Sequence, residues 1–514
     1  MFRNPKTLRI PDKIRQKELG YVYSSKAHLL PAFNKAARTT SGNFKIRGPH
    51  NVGGRTRAIG VDARNTDIIM IGGASGGLYR STNGGTSWTL VSNAQANPAI
   101  TGIAQDPTSQ DTWYYITGEA IGTVSTNMGS DALYVGDGVF KSTDNGATWS
   151  QLSSTNPGGV KFGSGTKSEW QFCHDVAIDP IDGAVLVANR DGIYRSTDGG
   201  TSWTLVLNAS SNFSNDITQF DVVKINATTR VYYAGTHSTG SNKGVFTSAN
   251  GETWNKVTDP PGLPSTWERI EVAIAPSNPN VAWFFLSNSN KDYKLYKYNS
   301  SGTSWTDRSS NLPALTGSVG ALNTQGSYNM IMSVKPDNED YIFIAGTSLY
   351  RSSDGFATVL NDNNTGNTQW IGGYSPDNDV SQYPNHHPDV HSFMFMPGSN
   401  NIVLCGHDGG VSKTTDITTD ITTVPSGFSK PHPVTWTEFN NGYYTTQAYS
   451  LAIDPTTSGD NRILLGFQDN GNWSVNDASS TATWGEEIAG GMVVMVLLWL
   501  AKTLAITVPK MVRY

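Results

Sequence analysis

The sequence predicts an all-β fold, a β-propeller of seven or eight four-stranded blades. One phrase recurs, as Gly-Leu-Tyr-Arg-Ser-Thr-Asn-Gly-Gly-Thr-Ser-Trp ending at Trp88, Gly-Val-Phe-Lys-Ser-Thr-Asp-Asn-Gly-Ala-Thr-Trp ending at Trp149 and Gly-Ile-Tyr-Arg-Ser-Thr-Asp-Gly-Gly-Thr-Ser-Trp ending at Trp203. A shortened copy ends at Trp254 and a worn one at Trp305, so the unit is about fifty residues long, a period that belongs to propellers and arrays. Composition agrees: 53 Gly, 14 Trp and 21 Tyr with only 15% charged residues describe short aromatic strands joined by tight turns.

Taken in order, residues 1–42 fall outside the repeat and read as a leader, with a short helix between Ile10 and Tyr23 and a linker before Phe44. The propeller is expected over 43–487. Eight apolar openings, several ending in Asp-Pro or Ala-Pro, fall near residues 57, 101, 174, 220, 269, 330, 391 and 449. Each is followed by a second apolar strand, and in most units by the Gly-x-Tyr-Arg-Ser strand and one holding the Trp. Four such strands make a blade, and circular repetition hides most of the sheet edges. One ring is expected, its last unit incomplete, with the start of a second ring lost from this chain. Beyond Gly491 the punctuation of Gly, Asn, Asp and Ser stops. Residues 488–514 read as an aberrant apolar tail, frameshifted or truncated, or as a terminal strand or helix against the ring. The apolar run 492–501 is shorter than the roughly twenty residues that cross a bilayer, so no membrane span is expected.

The phrase Ser-x-Asp-x-Gly-x-Thr-Trp resembles the Asp-box, or BNR, repeat of sialidases, sortilin-type receptors and xyloglucan-degrading glycoside hydrolases. Ser142, Asp144, Gly146 and Trp149 fit it, as do Ser196, Asp198, Gly200 and Trp203; Asn83 replaces the Asp in the first copy, and the Trp is absent at 352–359. The physical reading is structural: the Asp accepts hydrogen bonds from turn amides, Gly supplies a positive φ, and Trp covers the apolar layer. Longer segments, Gly48 to Ile59, Tyr383 to Ser392, Gly406 to Val411, Tyr443 to Ser450 and Gln468 to Gly471, resemble exported BNR-repeat proteins of Bacteroidetes-type bacteria. That kinship implies an extracellular or cell-surface location, although residues 1–30 hold no apolar stretch of signal-peptide length.

Net charge is −5 and no dense Lys/Arg run occurs, so a nucleic-acid partner is not expected and a glycan or protein ligand is. Cys173 and Cys405 lie in apolar segments and read as small core residues.

Several residues could carry chemistry. His387, Asp389 and His391, read as alternate positions of one inner strand, would project to one face of the axial channel and bind a ligand or a divalent metal; the default is a satisfied polar network, with no cofactor required. Arg55 and Arg57 share that spacing, and would bind ligand carboxylates or pair with Asp175, Asp389 or Asp469, the last of which is itself a ligand-binding candidate. Trp267, Trp283, Trp370, Trp473 and Trp484 lie outside the strongest boxes, and Trp370 is the candidate for stacking on a sugar. By resemblance to xyloglucan-degrading enzymes, a catalytic base is expected at the position held here by Ala74, while Asp408 would stand for the acid. Hydrolysis in its common form needs two carboxyl groups. The first expectation is therefore a non-enzymatic extracellular binding module for a glycan or protein, and the alternative is a secreted glycoside hydrolase, xyloglucanase-like or sialidase-like.

Overall fold

The computed structural model describes residues 48–92, 99–120, 134–158, 169–189, 191–209, 218–239, 242–287, 292–314, 321–375, 382–453, 462–476, 486–489, 493–498 and 505–509. The expected leader 1–42 and Trp484 lie outside them. The described residues form eight four-stranded antiparallel sheets, each built from consecutive strands in sequence order, and one two-stranded hairpin. The only helical turns among the described residues are three-residue 3-10 turns, such as Ser153–Thr155.

The inner strands of the first seven sheets are Thr56–Val61, Ile100–Gln105, Cys173–Ile178, Gln219–Lys224, Arg269–Ile274, Ile331–Val334 and Val390–Phe395. Each packs against the next, and Val390–Phe395 packs against Thr56–Val61, so the ring closes at seven blades. The segment after the seventh blade laces the closure. Trp88 Nε1 donates to the Phe439 carbonyl at 2.7 Å, Gly442 N to the His50 carbonyl at 2.7 Å, and Thr56 Oγ1 to the Tyr443 hydroxyl at 3.0 Å. Gly54 approaches Thr445 so closely that a Cβ there would sit 2.4 Å from its carbonyl oxygen, which only glycine permits.

The eighth sheet, Ala448–Ile453, Ile463–Phe467, Asn472–Val475 and Glu486–Ala489, stands outside the ring. Strand Val493–Leu498 of the hairpin packs on the first two strands of that sheet, the way the second blade's inner strand packs on the first blade. The described part of the expected tail is thus strand.

Burial follows from this layering. The second strands Ile69–Gly73, Val185–Asn189 and Val281–Ser287 are buried throughout because a blade covers each face, which is why they read as unbroken apolar runs. The inner strands Ile100–Gln105, Cys173–Ile178 and Gln219–Lys224 are partly exposed because they line the channel, whereas Arg269–Ile274 is buried throughout.

The repeated phrase forms a side-chain-stitched turn. Ser142 Oγ donates to Asp144 Oδ1 at 2.7 Å and accepts from Gly146 N at 3.0 Å, while Asp144 Oδ1 accepts from Thr148 N at 2.9 Å. Ser196, Asp198 and Gly200 repeat this at 2.8 Å for both serine bonds. Gly146 and Gly200 take φ of 77° and 91°, and Phe356 takes 55° in the copy that lacks Gly there. Asn83 accepts from Ser81 and Ser87 as the aspartates do. Trp149 lies 4.8 Å from Tyr115 and Trp203 lies 5.1 Å from Trp170, ring to ring. These tryptophans end the turn just before the short outer strand, which differs from the expected position within it; only Trp305 sits inside its strand, Ser304–Asp307.

Candidate functional site

Trp370 is not a surface platform. It is 1% exposed, the side chain packs edge-on to Tyr383 at 4.9 Å, and it belongs to an apolar cluster that runs from the fifth blade, with Trp283, through the sixth to the seventh. Trp267 is equally buried, and Trp473 is half-buried with its Nε1 on the Asn470 carbonyl.

Polar side chains collect instead where one end of the channel meets the loop between the second and third strands of the eighth sheet. Arg55 and Arg57 precede and enter the first inner strand, and a bulge at Arg57 turns both inward. Their common partner is Glu119: Arg55 Nη2 donates to Oε2 at 2.9 Å and Arg57 Nε to Oε1 at 2.5 Å. That corrects the expected pairing with Asp175, Asp389 or Asp469. Arg55 Nη1 also donates to the Tyr328 hydroxyl at 2.8 Å, and Tyr328 donates to Asp408 Oδ2 at 2.8 Å. His391 Nε2 bonds Asp408 Oδ1 at 2.7 Å. Glu119 and Tyr328 carried no signal in the sequence beyond the general need of two buried guanidiniums for an acid.

His387, Asp389 and His391 do not converge. The seventh inner strand starts at Val390, so His387 and Asp389 lie in the loop before it, and Asp389 takes φ of 62°, which breaks the assumed alternation. His387 reaches the carbonyls of Pro388 and Asp469, both at 2.9 Å, Asp389 Oδ1 accepts from Asn329 at 2.6 Å, and His391 turns to Asp408. Among the described residues no group of three His, Cys, Asp or Glu side chains is placed to hold a metal ion.

The second acidic element arrives from the eighth sheet. Asp469 takes φ of 57° in its loop, and Asn470 Nδ2 donates to the Asp408 carbonyl at 3.1 Å. Gly54, Arg55, Asp408, Gln447, Gln468, Asp469 and Asn470 line a recess of about 10 Å3, room for about one water. Burial pushes the Asp469 carboxyl up and the neighbouring Asp408 charge pushes it further, to about 7. Burial also opposes a charge on Asp408, but His391 and then the Arg55 guanidinium outweigh it and hold that carboxyl below the ordinary range. Asp389 is driven well above that range by burial, then by Asp408 and Asp469. Two neighbouring carboxyl groups with proton affinities driven apart form a donor and its anionic partner. Asp408, the expected acid, keeps its charge in this arrangement, while Asp469 beside it keeps a proton more readily. Ala74, the position of the expected base, is buried beside the recess, its amide donating to the Arg55 carbonyl at 2.9 Å.

No family model matches the chain. Two curated proteins do: a xyloglucanase of Hypocrea jecorina (strain QM6a), 29% identical over 185 residues that are 36% of this chain and 19% of the relative, and a xyloglucanase of a Paenibacillus species, 27% identical over 33% of this chain and 22% of its own. The chain is similar to xyloglucanases. It spans about a fifth of the length of these curated relatives. Among solved structures, the GH74 xyloglucanase from Xanthomonas campestris superposes with a TM-score of 0.56 at 16% identity, covering 86% of this chain and 62% of that one. An ancestral GH74 enzyme gives 0.56 at 18%, over 88% and 57%, and the Niastella koreensis GH74 enzyme 0.55 at 16%, over 86% and 61%. At such identity the structural likeness carries the propeller fold alone. The curated relatives overturn the first functional expectation: the similarity runs to enzymes, not to a binding module. No helix among the described residues is long and apolar enough to cross a membrane.

Proposed function

We propose that the chain carries part of the active site of a glycoside hydrolase acting on xyloglucan or a closely similar branched glucan, with Asp469 as the general acid. The reading rests on one observation, the Asp469 and Asp408 pair in the recess between ring and eighth sheet, within a fold and a sequence similar to named xyloglucanases. A general acid works best with a proton affinity near the operating pH, and burial beside a fixed anion gives Asp469 that property.

Each neighbour then has a task. Asp408 holds the proton on Asp469 by its charge; His391 and Tyr328 hold Asp408 in place; Arg55, bonded to Tyr328 and Glu119, supplies the positive charge that keeps Asp408 ionised. The Asp469 proton passes to the glycosidic oxygen as the bond to the sugar carbon breaks, and a second carboxyl assists water or attacks that carbon. Ala74 cannot serve, so that carboxyl comes from another position. In this reading the stitched turns are Asp-box repeats that build the scaffold, and the protein acts outside the cell, where such polysaccharide lies. The test is reducing-end release from xyloglucan, compared with unbranched cellulose-type glucan, by the folded protein. Release from xyloglucan supports the reading, and release from neither substrate rejects it.

A further inference from the structure

His387 stands at the seam between the ring and the eighth sheet, and both of its ring nitrogens are engaged. Nδ1 lies 2.9 Å from the Pro388 carbonyl and Nε2 lies 2.9 Å from the Asp469 carbonyl. A carbonyl oxygen only accepts, so each nitrogen must bring a proton to make its bond. A neutral imidazole has one such proton and an imidazolium has two. The geometry asks for the charged ring.

The groups that face His387 suit a cation. Asp408 and Asp469 face it from the recess, and Glu438 from the seventh blade's short outer strand, Thr437–Glu438. Burial is the larger effect on each of these carboxyl groups, and the His387 charge acts against it in all three. The other titratable neighbours are His386 and His407, and both stay neutral: burial pushes His386 down to about 3 and His407 well below its ordinary value. Ser412 Oγ donates to the Asn385 carbonyl, so it accepts the Nε2 proton of His407 at 2.8 Å, and that neutral ring stacks 5.9 Å from His387. Gly409 makes room for the side chain, since a Cβ there would lie 2.6 Å from the His387 Cβ.

We propose that His387 is a positioning residue that works as an imidazolium, fixing the backbone of Asp469 to the ring and setting a positive charge against Asp408 and Asp469. That Asp469 is an acid rests on the hydrolase reading; the charge and the tie do not. Asn470 ties the same loop a second time, through the Asp408 carbonyl, but the His387 bond falls on the residue whose carboxyl must be aimed. Its charge opposes the burial and the Asp408 anion that favour a proton on Asp469, and so leaves that proton one that can be given up.

Three readouts on the full chain test this without substrate. With histidine labelled by nitrogen-15, both ring nitrogens of His387 should carry protons at pH 6, and one only of His386 and of His407. The carbon-13 titration of the Asp469 carboxyl should move up by about one pH unit in His387→Gln, which keeps a donor but removes the charge, opposite to its movement in Asp408→Asn. Amide exchange in the peptide 463–475 should quicken by about tenfold or more in His387→Leu, which removes both bonds. A bare ring nitrogen on His387 at pH 6 overturns the proposal, and this readout needs only the wild type. An Asp469 titration unmoved in His387→Gln, or exchange unmoved in His387→Leu, overturns it as well. Xyloglucan cleavage is assayed beside these. The three expected readouts without cleavage keep the His387 tie and reject the hydrolase reading, whereas cleavage whose fall at high pH is unmoved in His387→Gln rejects the role of His387 alone.

Discussion

His391 Nε2 lies 2.7 Å from Asp408 Oδ1, and both side chains are shut off from solvent. That bond joins the channel wall to the recess at its end. Burial first, and then the Arg57 charge, lower the proton affinity of His391 to about 3, so the ring stays neutral and the charge of the pair rests on Asp408. Burial, and then this fixed anion, keep the proton on Asp469.

Asp408→Asn removes that anion and leaves the shape nearly unchanged. Asp469 is protonated below about 7 and loses its proton above, so the wild-type rate on xyloglucan should fall as pH rises through about 7. In the variant the proton is held less tightly, and the same fall should come at lower pH. Initial rates across pH 5 to 9 check the direction; an unmoved limb removes Asp408 from this role.

Glu119→Ala leaves two buried guanidiniums without their shared acid. Removing one partner of a buried ion pair costs about 3–5 kcal/mol, so the urea unfolding midpoint should drop steeply. A drop no larger than that of an exposed pair such as Lys256 and Asp259 would contradict the buried arrangement.

Trp370→Ala should destabilise the sixth blade by about 3–5 kcal/mol, as loss of a buried tryptophan does. Thermal unfolding measures it. Polysaccharide retention lost at full stability would return Trp370 to the surface role that its burial denies.

The stitched turns should show in the acid limb of stability. Hydrogen bonds from the Thr148 and Ser142 side chains and turn amides outweigh burial and lower the Asp144 carboxyl to about 2, and those from Ser202 and Ser196 lower Asp198 to about 2. A depressed folded value means the contribution is full above about 4 and lost as pH falls toward 2. Asp144→Asn should flatten that part of the profile, because Asn83 shows that an amide makes the same turn without titrating. Ser142→Ala, which strands the buried Gly146 amide, should cost about 1–3 kcal/mol at any pH.

The blades were legible because each is local: its strands follow one another in sequence, and the openings read near 57, 101, 174, 220, 269, 330, 391 and 449 fall within or one residue before the inner strands Thr56–Val61 to Ala448–Ile453. The number of blades in the ring was not. Closure joins Thr56–Val61 to Val390–Phe395, and no fifty-residue period encodes a contact between chain segments so far apart. The site was half legible. Arg55, Arg57, His391, Asp408 and Asp469 stand out as polar groups on or beside apolar strands, but Glu119 and Tyr328 sit in irregular segments where the repeat carries no information. His387 and Asp389 were misplaced by extending a period of two back through Pro388, a residue that commonly marks the end of a strand.

The most direct test is reducing-end release from xyloglucan at pH 6 by the wild type and by Asp469→Asn, each shown to be folded by circular dichroism. Release by the wild type, reduced by about 10²–10⁴-fold in the variant, is the expected result. Equal release by both proteins, or none by the wild type, contradicts the assignment of Asp469 as the acid of a glycoside hydrolase.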